Sequence, residues 1–236
     1  MSSDYKYPGE ELQLFESATN WKNYFSSHIT KYLRGKILEV GAGIGGTTLS
    51  LNNGKADSWL LLEPDEQMQQ TLQKKIMGQV LPANCKVVPG TLDSLDINEK
   101  FDCIIYIDVL EHIENDASEL KKAIYHLSQG GHLVILSPAF QFLFSPFDKA
   151  IGHCRRYTRK TLSAIKPDSL MPVKVIYLDT AGFFASLLNK LLLRQPYPRK
   201  RQVEIWDRWM IPVSRITDRI FFYSFGKSIL AVWKKQ

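Results

Sequence analysis

Large apolar and aromatic side chains recur along this chain with two distinct periods. Between residues 19 and 33, Trp21, Tyr24, Phe25, His28, Ile29 and Tyr32 fall three and four positions apart, which predicts an amphipathic helix capped by Thr19 or Asn20. The next block is different. "KILEV" (36 to 40) is a short, nearly continuous apolar run that stops at a cluster of glycines, and "GGTTLSLNN" after them reads as a helix. The strand-then-helix rhythm repeats with "SWLLLEP" (58 to 64) and "DEQMQQTLQKKIM" (65 to 77), the latter with Asp65 at its cap. "CKVVPG" (85 to 90), "FDCIIYIDVL" (101 to 110), a helix over 116 to 128, and "GHLVILSP" (131 to 138) follow. Five short apolar strands alternating with helices predict a parallel sheet covered on both faces.

After residue 140 the rhythm changes. "AFQFLFSPFDKAIGHCRRYT" is a long aromatic and basic connection, followed by a helix near 158 to 166 and a strand at 171 to 180. "GFFASLLNKLLL" and "QVEIWDRWMIPVSRITDRI" read as helices and "KSILAVWKK" (227 to 235) as a last strand, paired with its predecessor. The chain therefore divides into a helical cap (1 to 34), a nucleotide-binding core (35 to 138) and a remainder that builds the other wall of the site (139 to 236), all in one domain.

Composition narrows the class. The 236 residues are 44% hydrophobic and 23% charged, the balance of a folded globular protein, and no apolar stretch reaches the length of a membrane span. The start, "MSSDYKYPGEELQ", lacks the pattern of a secretory leader, which leaves the cytoplasm as the expected compartment. Cys85, Cys103 and Cys154 have no paired spacing, so neither a disulfide framework nor a zinc site is expected. The net charge of +6 is concentrated in "HCRRYTRK" (153 to 160) and "RQPYPRKR" (194 to 201), a bias that fits solvated loops, an anionic small molecule, anionic lipid or nucleic acid.

Gly41, Gly43 and Gly46 form GxGxxG between a strand and a helix, and Glu63 ends the next strand about twenty residues on. Those residues alone fit a nicotinamide or flavin dinucleotide as well as other nucleosides. Glu39, two positions before Gly41, separates the readings: a carboxylate there opposes a pyrophosphate and favours a cationic ligand such as a sulfonium. The loop also lacks the Lys of a triphosphate-binding loop. "YIDVLEHI" (106 to 113) ends the fourth strand, bringing Asp108, Glu111 and His112 to the crevice beside strand 1.

Taken in order, "ILEVGAGIGG", "LLEPD", "VPGTLDSL", "FDCIIYIDVLEHI" and "GGHLVILSP" resemble the successive motifs of class I S-adenosylmethionine-dependent methyltransferases. That resemblance implies a Rossmann-like α/β fold, a seven-stranded sheet of order 3-2-1-4-5-7-6 with the last strand antiparallel and helices on both faces. It further implies that Gly41, Ala42, Gly43 and Gly45 line the methionine part of S-adenosylmethionine and that Glu39 faces its ammonium through water. Glu63, followed by Pro64, would hold the ribose hydroxyls, Thr91 and Leu92 would meet the adenine edge, and Asp108 and Val109 would complete the cofactor set. The chain departs from the commoner pattern at Gly90-Thr91, where many relatives have Gly-Asp; Asp93 is two residues out of register.

Methyl transfer from a sulfonium needs alignment, and needs a base only when the acceptor must lose a proton. The candidates for that base are His112, His153 and Tyr157; "GHCRRYT" also resembles a segment of a bacterial subgroup of these enzymes. Arg155 and Arg156 would recognise an anionic acceptor, and Trp21, Tyr24 and Phe140 would wall its pocket. No metal site is assigned, although Asp108, Glu111 and His112 together offer a carboxylate, carboxylate and imidazole set. A small or medium-sized metabolite with an oxygen or nitrogen acceptor is the expected substrate. RNA, or a lipid or quinone at a membrane surface reached through "GFFASLLNKLLLRQPYPRKR", stands as the alternative within the class. The absence of a [DN]PP[YFW] tetrapeptide after strand 4 argues against a flipped base. Outside the class, a nicotinamide oxidoreductase or a non-catalytic nucleotide-binding protein remains open.

Overall fold

The computed structural model describes residues 5–9, 11–52, 54–193 and 197–236; Arg194 to Pro196, the first part of the second basic stretch, lie outside them. Seven strands form one sheet: β1 (Gly35–Val40), β2 (Ala56–Glu63), β3 (Cys85–Pro89), β4 (Phe101–Ile107), β5 (Leu127–Pro138), β6 (Leu170–Leu178) and β7 (Ser228–Lys235). Their order is β3-β2-β1-β4-β5-β7-β6, as the motifs imply. The first five strands run parallel, and β7 is antiparallel to both of its neighbours.

The continuous apolar runs are explained by burial on both faces. Ile37, Trp59, Leu61 and Ile105 point into one core, while Leu38, Leu60, Leu62 and Ile104 point into the other, each strand alternating sides as its pleat requires. The first core is covered by α2 (Thr19–Ile29), α3 (Gly46–Leu51), α4 (Glu66–Met77), α9 (Lys200–Ile205) and α10 (Ile211–Ile220), through residues such as Phe25, Leu72 and Ile211. The second lies under α5 (Asp116–His126) and α7 (Arg159–Ala164), through Leu120 and Leu162. Three short helices carry no periodic signal long enough to read: α1 (Glu11–Glu16), α6 (Pro146–Ala150) and the 3-10 turn Leu110–His112.

Two of the expected caps resolve differently. Asp65 caps α4 as expected, accepting from the amides of Gln67 and Met68 at 2.9 and 3.0 Å. On α2 neither Thr19 nor Asn20 caps: the N-cap is Ala18, and Asp207, far along the chain, accepts from the amides of Asn20 and Trp21 at 3.1 and 2.8 Å. The helix also ends at Ile29 and continues as a 3-10 turn, Thr30–Tyr32, instead of running to residue 33.

The two long C-terminal helices form, each with a π-helical turn. α8 (Thr180–Leu188) runs into a π turn at Asn189–Leu193, and a second π turn, Trp206–Met210, joins α9 to α10. Buried acids hold this layer. Asp179, at φ 68°, accepts from Gly182, Ser214 and Trp206, and Asp218 accepts from Tyr24 and from the amides of Asp179 and Thr180, all at 2.7 to 2.8 Å.

Candidate active site

The carboxyl ends of β1, β2 and β4 open into one cavity of about 1140 Å³, bounded on the opposite side by α8 and α9. It sits beside the point where the sheet order reverses, between β1 and β4.

At the β1 end, Gly41, Ala42, Gly43 and Gly46 line the cavity. Gly41 has φ 67°, and a Cβ there would fall 2.8 Å from Val109, so the loop and the end of β4 close on each other only because no side chain intervenes. Glu63 lines the cavity too; its two oxygens accept from the amides of Gly43 (2.7 Å) and Asp65 (2.9 Å). Burial pushes its pKa up, against the pull of those two amides. Pro64, Thr91, Asp108 and Val109 also face the cavity, as expected.

Three residues of the expected cofactor set do not. Glu39 is buried under the glycine loop, where Oε2 accepts from Thr48 and Trp59, each at 2.8 Å, and burial lifts its pKa to about 7. Gly45 is needed for packing: with φ 80°, a Cβ would lie 2.8 Å from Leu72 and 3.0 Å from Leu81. Leu92 turns into the core, and Asp93, two positions out of register in the sequence, reaches the cavity in its place, paired with Lys122.

The expected substrate wall is likewise sorted by the fold. Trp21 lines the cavity. Tyr24 does not; its hydroxyl is committed to Asp218. Phe140 stacks on Tyr177, ring centroids 4.7 Å apart, outside the cavity. Arg155 is drawn away to Asp116 (2.7 Å) and the Glu114 carbonyl. Arg156 reaches the cavity, but its guanidinium is already forked onto Asp148 through Nε and Nη2, both at 2.8 Å, so it is not a free anion receptor. Tyr157 is buried off the cavity, donating to Asp116 at 2.7 Å; burial and that bond push its phenol far above the usual range, which excludes it as a base at neutral pH.

His112 and His153 do meet, their ring centroids 4.6 Å apart on the cavity wall. His153 Nδ1 lies 2.9 Å from Asp148 Oδ1, and its Nε2 lies 3.7 Å from Oε1 of Glu111. Asp148 is the hub: besides His153 and Arg156 it accepts from the amide and hydroxyl of Ser145, at 2.8 and 2.7 Å. Burial alone would raise the Asp148 pKa, and these donors outweigh it and hold the carboxyl below its ordinary value. Burial acts to lower His153, but the Asp148 bond and the charge of Glu111 prevail and raise it. For His112, burial and the neighbouring His153 push the pKa down to about 3. Glu111 is fully buried, with its Oε2 held by Ser137 at 2.9 Å and its Oε1 without a hydrogen-bond partner; burial raises its pKa. Glu111, His112 and His153 offer ligand atoms within 4.8 Å of one another, so the set that could hold a metal draws on His153 where the strand-4 motif alone pointed to Asp108.

Several wall residues carry no readable signal in the sequence. Tyr5 and Tyr7 come from an irregular N-terminal segment held at the cleft by the Tyr7 amide on Asp65 (2.8 Å), and Glu11 from the first turn of α1. Tyr7 also packs edge-on against His112. Lys227 arrives from the approach to β7, its Nζ 4.5 Å over the Trp206 ring. Asp148 was legible only as a loop acid.

Comparison with known proteins agrees with this fold. Residues 13–169 match the family model described as a methyltransferase domain. The chain is 22% identical over 190 residues to ajmaline N-methyltransferase of Rauvolfia serpentina, covering 79% of this chain and 60% of that protein, less than two thirds of the relative's length. Its fold is similar to that of coclaurine N-methyltransferase bound to N-methylheliamine and S-adenosylhomocysteine (TM-score 0.62, 13% identity, 92% of this chain and 72% of that one). It is also similar to the N-methyltransferase NodS of Bradyrhizobium japonicum WM9 in complex with S-adenosylhomocysteine (TM-score 0.57, 13% identity, 94% and 87%). With five ordered motifs, the implied strand order and a family match over most of its length, the chain belongs to the methyltransferase-domain family of class I, S-adenosylmethionine-dependent methyltransferases.

Proposed function

We propose that this protein methylates a small or medium-sized metabolite, with an amine as the favoured acceptor and His153 as the base that takes its proton. The observation that carries the proposal is the continuity of one cavity, lined at one end by Gly41, Gly43 and Glu63 and at the other by His153 on Asp148. Gly41, Ala42 and Gly43 offer backbone without side-chain obstruction, and Glu63 offers a carboxylate suited to ribose hydroxyls, so the residues fit S-adenosylmethionine. When bound, it supplies an electrophilic methyl group on a sulfonium.

The remaining work belongs to the chain. Asp148 fixes His153 with Nδ1 as its donor, which leaves Nε2 as the acceptor atom. Asp108 on the cavity wall favours the arrival of a cationic amine, and Nε2 of His153 is the acceptor to which the amine's proton passes. The N-terminal segment and the apolar wall from Trp21, Phe25 and Val203 exclude water from the reacting atoms. Arg155 and Arg156, each engaged by an acid, are not free to grip a phosphate beside the cavity.

Transfer of labelled methyl from S-adenosylmethionine to a panel of secondary amines and phenols tests this reading. Methylation of amines that falls sharply in His153→Gln supports it; failure of calorimetry to detect S-adenosylhomocysteine, or transfer indifferent to His153, overturns it. The partnerless Oε1 of Glu111 favours a second reading, a divalent cation held by Glu111, His112 and His153 that activates a hydroxyl acceptor. Loss of turnover on chelation and its return with metal would select that reading.

A further inference from the structure

The continuous helix from Lys200 to Ile220 buries Val203, Trp206 and Ile211 in the core and yet exposes a second apolar face. The same inward face carries Asp207, Ser214 and Asp218, all buried and bonded within the protein. Its outward face carries Ile205, Trp209, Val213, Ile216 and Ile220, spaced three and four residues apart and each between 46% and 64% exposed. A helix that only covers a core needs one apolar stripe, and these five side chains form a second. α8 and its π turn, packed alongside, add a second outward row, Phe184, Leu188 and Leu191, each 53% to 62% exposed. On helices packed against each other, the two rows expose eight large apolar side chains, the kind of surface that marks an interaction site.

The charge beside it identifies the partner. Arg201, Arg208 and Arg219, seven and eleven residues apart, run along one flank of the stripe, and all three are exposed. The Arg208 guanidinium lies 5.4 Å over the ring of Trp209. Along Lys200–Ile220 the acids are Glu204, Asp207 and Asp218, and two of the three are buried and consumed internally. An apolar stripe with Trp at its centre and an arginine row along its edge fits an interface of acyl chains and anionic headgroups. No described helix is long and apolar enough to cross a membrane, so the contact is a lying one.

We propose that α8, α9 and α10 dock this protein on an anionic lipid bilayer. Leu188 and Ile205 belong both to the outward rows and to the cavity wall, so the docked face adjoins the substrate cavity. If the cavity is the methyl-transfer site proposed above, on which this consequence rests, its acceptor is an amphiphile drawn from the bilayer.

Trp209 makes docking measurable, because it is 63% exposed and the other four tryptophans are at most 9% exposed. The full chain is mixed with vesicles of phosphatidylcholine alone or with about 30% phosphatidylglycerol. Sedimentation with the anionic vesicles and a blue shift of tryptophan emission are expected. The double variant Ile216→Asp, Ile220→Asp should lose vesicle binding about tenfold or more, and Arg208→Glu, Arg219→Glu should lose the preference for anionic vesicles. Both pairs lie off the cavity lining, so each variant should bind S-adenosylhomocysteine as the parent does, which separates failed docking from a failed methyltransferase reading. A folded parent that stays in the supernatant with both vesicles overturns the proposal. So does vesicle binding unchanged by the aspartates, or a dimer in sedimentation velocity that they dissociate, which would assign the stripe to a second copy.

Discussion

His153 Nδ1 sits 2.9 Å from Asp148 Oδ1, and the same carboxylate is gripped on its other side by both Nε and Nη2 of Arg156. His153 and Arg156 follow Asp148 of α6 by five and eight positions, so part of the segment that reads as a basic loop is engaged by an acid close to it in the chain. The net effect is to orient a single imidazole toward the cavity.

That orientation is testable by substitution. His153→Gln should lower kcat by about 10²-fold or more if a proton must leave the acceptor. Asp148→Asn should lower kcat and shift the acidic limb of the rate profile to lower pH, since the bond that raises His153 is weakened. It should also destabilise the fold by about 3 kcal/mol, because a buried Arg156 loses its counter-charge. Equal kcat in both variants would remove His153 from the chemistry.

Glu63 gives a prediction on binding alone. Glu63→Ala removes a buried carboxylate from the cavity wall and frees the Gly43 amide. Affinity for S-adenosylhomocysteine, measured by calorimetry, should fall about tenfold or more, corresponding to about 1.5–3 kcal/mol for a hydrogen bond to a charged group. An unchanged affinity would remove Glu63 from the cofactor site.

His112 contributes to the stability slope in acid, in the same direction as His28, whose pKa burial lowers to about 4. The folded pKa of His112, about 3, lies below its ordinary 6.5, so as pH falls from 6.5 the unfolded chain takes up the proton first and stability declines until about pH 3. His153 acts oppositely: its raised pKa contributes stability fully present below 6.5 and lost as pH rises through the folded value. Denaturant unfolding across pH 4 to 8 should therefore show a decline on the acid side that is flattened in His112→Gln. A His112→Gln variant with the parental acid slope would show that other groups set it.

Tyr24 should matter for stability and not for catalysis. Tyr24→Phe removes one donor from the buried Asp218 carboxylate and should cost about 1–3 kcal/mol in unfolding free energy. KM for the acceptor should not move, because Tyr24 lies off the cavity. A raised KM with normal stability would return Tyr24 to the substrate wall.

Local chemistry made the cofactor half of this protein readable. The glycines between "KILEV" and "GGTTLSL", Asp65 before an amphipathic run, and five buried strands at regular spacing are constraints of backbone conformation, capping and periodicity, and each acts over a few residues. They specified five parallel strands and the position of Glu63 at the end of the second, while the order of the strands came from the family resemblance. What only the tertiary structure decided is where polar side chains far apart in sequence find partners. Glu39 faces Thr48 and Trp59, Tyr24 faces Asp218, and Tyr157 faces Asp116, so residues that looked free for ligand are spent on burial. Glu111, expected beside His112, and Asp148, which no motif marks, become the frame of His153 because β4 and the connection after β5 end side by side. A buried polar group must be paired, and which partner is in reach depends on the packing of the whole sheet.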